Sequence, residues 1–320
     1  MLFRSCLGFA FSRFYARPIA AMVTRMGREA LQRTVDLATN QLQLDVIYGD
    51  TDSVMINTNL RLTEELGQVK ELGLRVKKEV NKLYKALELD LDGIFRSMLL
   101  LKKKKYAALV VNEHPDGSVT YEKEMKGLDL VRRDWCTVSK ETGTFVVDQI
   151  LSGESCEDIV TAIHSHLSDL ASKIRGRQLP LEKYVITKGL NKNPKDYPDS
   201  SGQPHLQVAL AMIKANKPVN IGDHIPYVIC EQGPVGGSAA QRAYHPDEVE
   251  RSPNELTIDV EWYLSNQILP PISRLCEPIA GTSQAMISEL LGLDSSKYAR
   301  SSAGVDEAEN EDWGFTPTCN

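Results

Sequence analysis

Apolar residues recur along the chain at two spacings, and the changes between them predict where helices and strands alternate. Residues 19–37 and 62–87 carry apolar side chains at steps of three and four, which is typical of amphipathic helices. Between them, residues 46–56 form two β-branched runs around a short polar tip. This pattern predicts a β-hairpin with its turn near Gly49 to Thr51. We expect the apolar stripe of residues 19–37 to be core that packs beside this hairpin.

A second extended region follows the long helix. Residues 98–111 consist of two apolar runs separated by four consecutive lysines, and the second run continues to an Asp116-Gly117 turn. The lysines lead directly into a β-rich segment, so we predict that they lie on an ordered sheet edge.

The remaining chain has a more helical pattern. Residues 156–174 form one apolar stripe with Ser155 as a plausible N-cap, and residues 205–213 predict another helix. Residues 225–230 predict a strand, and residues 261–276 predict a helix interrupted by Pro270-Pro271. Beyond residue 303 the composition is acidic, which is typical of disorder. The fold class is therefore a mixed α/β (α+β) one.

Composition is that of an ordinary globular protein of about two domains. The 320 residues are 42% hydrophobic and 25% charged, with a net charge of −6 that argues against a uniformly basic nucleic-acid binder. Local charge differs, because residues 95–140 hold ten Lys and Arg against six Asp and Glu. Charge is therefore polarised along the chain.

Cysteine spacing argues against a zinc site, and hydropathy argues against a membrane-spanning segment. The six cysteines include no Cys-x-x-Cys pair, so we expect no zinc site, and scattered thiols indicate a reducing compartment. No apolar run approaches the roughly 18 residues of a membrane span, so we expect no membrane partner. The arginine-rich start, without an acidic residue before Glu29, also fits a mitochondrial presequence.

The polar tip of the predicted hairpin carries two carboxylates, Asp50 and Asp52. Residues two apart in extended chain share a face, so both side chains could bind one hard divalent cation such as magnesium. A solvated acidic turn is the alternative. An EF-hand loop starting at Asp50 is excluded, because Val54 and Met55 would occupy its fifth and sixth positions.

The lysine block and a later arginine pair are candidates for binding phosphate. The phosphates of a duplex would satisfy the four lysines at 102–105, which run directly into Tyr106, and a nuclear-localisation signal or a frayed loop is the alternative. Arg132 and Arg133 have the planar fork that grips phosphate, but they could equally form an intramolecular salt bridge with the nearby Asp134.

These motifs, in this order, resemble those of family B DNA polymerases. Tyr-Gly-Asp-Thr-Asp-Ser at 48–53 resembles motif C, the Lys-Lys-Lys-Tyr run at 103–106 resembles the Lys-Lys-x-Tyr motif, and residues 126–136 resemble the passage from palm to thumb. The resemblance implies a partial palm with an antiparallel sheet and catalytic β-hairpin over residues 1–134. It further implies a mainly helical thumb over 135–302 and a disordered acidic tail over 303–320.

The resemblance also assigns roles to the candidate residues. Asp50 and Asp52 would be catalytic metal ligands for two magnesium ions, with Asp52 the first choice as direct ligand. Lys103, Lys104, Lys105, Tyr106, Arg132 and Arg133 would contact primer-template. The implied reaction is template-directed extension of a primer by deoxynucleotide triphosphates, through in-line phosphoryl transfer on primer-template DNA or RNA-DNA. The implied compartment is the nucleus, and the implied partners of the full-length enzyme are primase and an accessory subunit.

Parts of the family pattern are not found in this sequence. Motif A, which donates a further aspartate, and the exonuclease domain have no counterpart, and Arg4-Ser5 replace the end of motif B. We therefore expect an incomplete fragment that binds primer-template without extending it, and whose docking module for primase and the accessory subunit is missing.

Two other functions stay open at this point. A non-catalytic nucleic-acid-binding module would keep the lysine block and be indifferent to Asp50 and Asp52. A glycosyltransferase could use Asp-x-Asp to hold manganese and a nucleotide sugar, although the 49 residues before Asp50 would hardly accommodate its nucleotide-binding half.

Overall fold

The computed structural model describes residues 6–60, 62–199, 201–234 and 236–298. The chain combines helices with three small antiparallel sheets, which confirms the predicted mixed α/β class. It divides into two compact units, one formed by the residues up to Arg96 and the other beginning at Ser97. The predicted tail, 303–320, lies outside the described residues.

The first unit contains two long helices and a β-hairpin. Helix α1 (Arg17–Asp36) continues into a π-helical turn (Leu37–Gln41), strands β1 (Asp45–Asp50) and β2 (Ser53–Asn57) form the hairpin, and helix α2 (Leu62–Asn81) follows. Leu37, Val76 and Val80 form the buried core, against which Ile56 packs. One face of the hairpin is thus anchored between the helices.

Helix α2 ends earlier than its apolar spacing predicts. The steps of three and four continue to Leu87, but the helix stops at Asn81, and Leu83 and Leu87 are exposed. The Asn81 side chain donates to the Leu89 carbonyl (3.0 Å) and accepts from the Leu89 amide (2.7 Å). Because these bonds hold the following segment back against the helix end, further turns are prevented.

The apolar stripe of residues 19–37 was expected to be core beside the hairpin, and this expectation is correct only at its end, where Leu37 lies in the core against which Ile56 packs. Helix α1 is buried at Ala20 and Thr34, whereas Ile19, Met22, Val23 and Met26 are exposed. Residues 19, 22, 23 and 26 follow a helical i, i+3, i+4, i+7 pattern, so they share one face. Burial therefore changes along the length of the helix: the apolar face is exposed in the first half and becomes buried towards Thr34 and Leu37.

The second unit begins with a three-stranded sheet in the order β3-β4-β5. Strands β3 (Phe95–Lys102), β4 (Lys105–Glu113) and β5 (Val119–Lys126) are connected by tight turns, although the first two residues of β3 are counted with the first unit. Strands β4 and β5 pair antiparallel from Tyr106 opposite Lys126 to Glu113 opposite Val119. Ala107 and Ala108 are fully buried, so β4 is covered on both faces.

Helices and a second small sheet make up the rest of this unit. The helices are α3 (Thr137–Leu151), α4 (Cys156–Arg175), α5 (Pro204–Lys214), α6 (Pro246–Arg251), α7 (Val260–Tyr263), α8 (Leu269–Cys276) and α9 (Gln284–Leu290). Strands β6 (Ile186–Gly189), β7 (His224–Ile229) and β8 (Ala243–Tyr244) pair antiparallel in that order. Their apolar residues form one continuous core.

Local signals in this part of the sequence are confirmed. Ser155 caps α4 by accepting from the Asp158 amide (3.1 Å). The interrupted helix is present as α7, a π-helical turn (Leu264–Ile268) and α8. Pro270 and Pro271 have no N–H to donate, so they are accommodated in the first turn of a new helix. Among the described helices, none is long and apolar enough to cross a bilayer.

Candidate functional site

The acidic hairpin turns one residue later than predicted. Gly49 lies within β1 opposite Val54, Asp50 is the last residue of β1 and pairs with Ser53, and the two-residue turn is Thr51-Asp52. Thr51 has φ +51°, in the left-handed region. A bulge at Ile47 also shifts the register between Val46 and Tyr48.

Asp50 and Asp52, which we call the acidic tip, are therefore not two residues of one extended strand. The left-handed Thr51 reverses the chain between them, and the Asp52 amide donates to the Asp50 carbonyl (2.5 Å), an i→i+2 bond. The Thr51 hydroxyl donates to Asp50 Oδ1 (3.0 Å). The Asp50 side chain is thus half-buried and oriented, whereas the Asp52 carboxylate is exposed and has no partner in the described part of the chain.

Carboxylate oxygens suit magnesium, which usually binds one or two protein carboxylates and completes its octahedron with water and phosphate oxygens. The acidic tip supplies two such groups at an accessible turn. In the described ranges, no cluster of three or more His, Cys, Asp or Glu side chains could hold a metal ion. The donor set at the tip therefore fits a magnesium ion that is shared with a phosphate-bearing ligand. The roles predicted for Asp50 and Asp52 stay predictions.

The four lysines lie at the tip of a second hairpin, which we call the lysine turn (Lys102–Lys105). Lys102 ends β3, Lys103 and Lys104 form the two-residue turn, and Lys105 begins β4. We expected them along a sheet edge, and the difference arises because Lys104 adopts φ +65°, which reverses the chain. Lys102, Lys103 and Lys104 are exposed and Lys105 is half-buried. The turn concentrates positive charge at one protruding point.

Tyr106 follows the lysine turn and is tied to the neighbouring strand. Its hydroxyl donates to Glu124 Oε1 (3.3 Å), and the same carboxylate oxygen lies 2.9 Å from Lys126 Nζ. The hydrogen bond to Glu124 raises the pKa of the Lys126 ammonium group. The half-buried Tyr106 ring is thus held on the sheet by a polar group at its tip.

Arg132 and Arg133 directly follow a short 3₁₀ helix (Asp129–Val131), and their surroundings differ. Arg132 is exposed, and Arg133 donates to the Nε2 atom of His224 on β7 (2.6 Å). The salt bridge with Asp134, which was the alternative, is not formed in the described part of the chain. Arg133 and His224 line an open recess of about 570 Å³ together with Trp135, Thr137, Lys140, Glu182, Val185 and Thr187.

The segment before the arginines is fixed by helix α8. Arg274 Nε lies 2.7 Å and Arg274 Nη2 2.6 Å from Asp129 Oδ2, and the guanidinium carbon lies 5.6 Å from the centroid of the Trp135 ring. Gly143 on α3 permits this packing, because a β carbon there would stand 2.1 Å from a methyl carbon of Leu130.

Sequence reasoning did not identify His224 and Arg274 as parts of this region. They lie 91 and 145 residues from their partners along the chain, and neither belongs to a motif with the arginine pair. The excess of basic over acidic residues in 95–140 indicates a basic region in that segment. It does not indicate which distant residues contact it.

An exposed two-carboxylate hairpin and a lysine-tipped hairpin on a mixed α/β fold suit the class of metal-dependent proteins that act on nucleic acids. Comparisons with known proteins give the family. A family model described as DNA polymerase family B matches residues 5–279. The chain therefore belongs to DNA polymerase family B.

Individual relatives agree with this assignment. The chain is 52% identical over 313 residues to the DNA polymerase alpha catalytic subunit of Oryza sativa subsp. japonica, with 96% of this chain and 20% of that protein covered. For the Mus musculus DNA polymerase alpha catalytic subunit, identity is 49% over 294 residues, with coverages of 92% and 20%. The chain thus spans about a fifth of the length of these relatives.

A solved structure has a similar fold. The family B DNA polymerase from Pyrobaculum calidifontis matches with a TM-score of 0.62 and 26% sequence identity, covering 86% of this chain and 32% of that one.

Proposed function

We propose that this chain is the metal-binding and duplex-holding portion of a replicative family B DNA polymerase and serves template-directed DNA synthesis. Residues 1–134 would belong to its palm and 135–302 to its thumb. The observation that carries the proposal is the acidic tip: two carboxylates at the turn of a hairpin, inside the region that matches the family. Its substrates would be deoxynucleotide triphosphates and a primer-template of DNA or RNA-DNA.

Asp52 would be the direct ligand of magnesium and Asp50 its second carboxylate ligand. The Thr51 hydroxyl and the half-buried position restrict the Asp50 side chain, so part of the ordering cost of a metal site is already met before binding. When bound, two magnesium ions would activate the primer 3′ oxygen and neutralise charge on the leaving pyrophosphate. The role of the protein is then mostly positioning.

The lysine turn and the arginine pair would hold the duplex. Lys103 and Lys104 protrude and can approach phosphates, while Tyr106, fixed to Glu124, limits how the strand moves behind them. The Asp129–Arg274 contact and the Arg133–His224 hydrogen bond orient the segment that presents Arg132. Phosphate contacts of this kind fix the register of a duplex without reading its sequence.

The partners and compartment follow from the alpha-type relatives. Both named relatives are catalytic subunits of DNA polymerase alpha, so we propose action in the nucleus beside primase and an accessory subunit in the full-length assembly.

The chain on its own should bind primer-template and not extend it, because two carboxylates do not complete a two-metal site. A primer-extension assay with the purified chain, magnesium and four deoxynucleotides tests this, alongside duplex binding by fluorescence anisotropy. We expect binding without incorporation. Robust incorporation that disappears in Asp52→Asn would contradict the expectation that the chain alone does not extend a primer. It would also support Asp52 as a ligand of magnesium.

Metal binding at the acidic tip can be measured without synthesis. Mn²⁺ can replace magnesium at oxygen sites and is detected by electron paramagnetic resonance. We expect millimolar-range binding in the presence of duplex and nucleotide, weakened at least about tenfold by Asp52→Asn. Asp45→Asn is the matched control, since Asp45 is an exposed aspartate at the other end of the same hairpin. Equal effects of the two substitutions would reject a metal role for Asp52.

The second candidate is a non-catalytic primer-template-binding module, which the exposed lysine turn favours. It predicts duplex affinity with a steep salt dependence that is unchanged by magnesium and by Asp50→Asn. Metal-dependent binding of nucleotide that needs Asp50 and Asp52 would exclude it.

A further inference from the structure

A cavity of about 110 Å³ lies between the lysine turn and helix α8, within the second unit. Half of its ten lining residues are apolar, and they come from strand β3, from the segment after β5 and from α8. They are Leu101, Leu128, Leu130, Pro271 and Leu275. All of them except Leu101 are buried, so the interior of the cavity is apolar.

The size of the cavity limits what it can hold. An engineered protein cavity of about 150 Å³ with an apolar lining binds benzene. At about 110 Å³, the cavity behind the lysine turn suits one six-membered ring, with any further group of the ligand projecting at the rim. Burial of such a ring against leucine side chains is favourable because it removes apolar surface from water.

The other five lining residues are charged, and the exposed ones among them mark the rim. Arg274 and Asp129 largely neutralise each other, since Arg274 Nη2 lies 2.6 Å from Asp129 Oδ2. Two lysines, Lys102 and Lys105, then stand against one carboxylate, that of Glu277. Glu277 is exposed, so water and salt screen its charge. The rim is therefore positive overall.

Lys105 is the charged residue whose surroundings are most unusual. It is half-buried, and its ammonium group forms no hydrogen bond or ion pair with a residue in the described part of the chain. Partial burial of a cation costs free energy unless an anion or an acceptor compensates for the lost water. An unpaired ammonium group beside an apolar cavity therefore indicates a ligand that carries a negative charge next to an apolar body.

We propose that this cavity is a binding site for a small organic anion, a molecule with one six-membered ring and one carboxylate or phosphate group. The ring would fill the apolar interior, and the anionic group would pair with the ammonium group of Lys105 near Lys102. This site differs from the acidic tip in charge and in position along the chain, and the inference does not depend on the proposed function.

The probes are benzoate and phenyl phosphate, and binding to the full chain is measured by isothermal titration calorimetry. We expect a dissociation constant of about 0.1 mM for the tighter of the two, which also identifies the preferred anionic group. Benzamide has the same shape as benzoate without its charge and should bind at least about tenfold more weakly. Acetate and inorganic phosphate lack the ring and should show no measurable binding.

Variants at the rim test the role of charge. Lys105→Met should weaken benzoate binding at least about tenfold and leave benzamide binding unchanged, because it removes the ammonium group and keeps an apolar stem. Lys140→Met is the matched control, since Lys140 is also a half-buried lysine of the second unit and does not line this cavity. Glu277→Gln should strengthen benzoate binding about threefold by removing a like charge.

Variants in the interior test where the ring lies. Leu101→Phe should fill the cavity and abolish binding of benzoate, whereas Leu101→Ala should enlarge it and allow 2-naphthoate to bind. Wild type should not bind 2-naphthoate. Circular dichroism and thermal melts of each variant establish that it is folded.

Four outcomes would overturn the proposal. Neither acid binds the folded wild-type chain, or Lys105→Met binds benzoate as tightly as wild type does. Acetate binds as tightly as benzoate, which would show that the lysines attract anions without using the cavity. Benzylamine binds more tightly than benzoate, which would assign the rim to a cation held by Glu277.

Discussion

Gly127 lies directly against the main chain of Lys104. A β carbon at position 127 would stand 2.2 Å from the Lys104 carbonyl oxygen and 3.2 Å from its carbonyl carbon. Both residues are in the left-handed region, with φ +64° at Gly127 and +65° at Lys104. The lysine turn can therefore take its conformation only because the residue that follows β5 has no side chain.

Gly127→Ala should destabilise the second unit and distort the lysine turn. Two effects add, the strain of alanine at positive φ and the clash with a backbone atom that cannot rotate away, so we expect a loss of about 2 kcal/mol in the free energy of unfolding. Urea denaturation measures this loss. Duplex affinity should fall as well, since Lys103 and Lys104 would be displaced.

Gly117→Ala provides the control for strain alone. Gly117 also has positive φ (+82°), but a β carbon there meets nothing within 4 Å. We expect a loss of about 1 kcal/mol and unchanged duplex affinity. Equal losses in the two alanine variants would show that the contact with Lys104 does not matter.

Lys103→Ala should reduce the salt dependence of duplex binding while leaving stability unchanged. Lys103 is exposed at the tip of the lysine turn, so removing it deletes one phosphate contact and releases about one fewer counterion. The slope of log K against log salt, measured between about 50 and 200 mM, should become shallower by about 1.

The matched control for that variant is Lys173→Ala. Lys173 is a partly exposed lysine that pairs with Asp169 one helical turn away on α4. Its removal should not change the slope. A shallower slope in both variants would indicate a diffuse electrostatic effect in place of contact at the turn.

The Asp129–Arg274 pair should contribute more than an ordinary surface ion pair. Two guanidinium nitrogens approach one carboxylate oxygen, the Asp129 side chain is only 18% exposed, and Trp135 lies beside the guanidinium group. A double-mutant cycle with Asp129→Asn and Arg274→Leu should give a coupling free energy of about 1 kcal/mol. Both single variants should also weaken duplex binding by loosening the segment that carries Arg132.

The pair Arg25–Glu29 on α1 serves as the comparison. Its nitrogen and oxygen lie 3.5 Å apart, and both side chains are well exposed at i and i+4. We expect its coupling to be below about 0.5 kcal/mol. A coupling at Asp129–Arg274 that is no larger would mean that the contact does not hold the segment in place.

The features that the sequence predicts correctly depend on residues that are close together along the chain. The arms of the acidic hairpin follow from alternating β-branched residues, and the start of α4 follows from the Ser155 side chain and its nearby amide. The interruption before Pro270 likewise depends on local chemistry, since proline lacks the donor that a continuous helix needs.

Features that depend on residues far apart along the chain, or on unusual backbone conformations, could not be predicted from local patterns. Periodicity alone extends α2 to Leu87, because nothing in it reveals that Asn81 bonds the backbone of Leu89. The turns at Thr51 and Lys104 depend on non-glycine residues with positive φ, which composition does not signal. Periodicity predicts core along the whole apolar stripe of α1, because it shows that one face of the helix is apolar. It does not show which part of that face is covered.

His205 should make the protein less stable as the pH falls. This histidine is almost completely buried at the start of α5, and burial lowers the pKa of its ring to about 4, with a smaller lowering from Lys188 and an opposing effect of Asp134. Between pH 6.5 and 4 the unfolded chain binds a proton at this residue and the folded chain does not. The free energy of unfolding should therefore decrease through that range, by at most about 3 kcal/mol, and level off below it.

His205→Phe keeps a ring beside Tyr197, whose centroid lies 6.4 Å away, and removes the titrating group. Urea denaturation at several values of pH should show a smaller acid loss for this variant than for wild type. Part of the loss should remain, because burial also lowers the pKa of His166, which is stacked on Phe145. If His205→Phe loses as much stability on acidification as wild type, then the ring of His205 accepts its proton in the folded state as readily as in water.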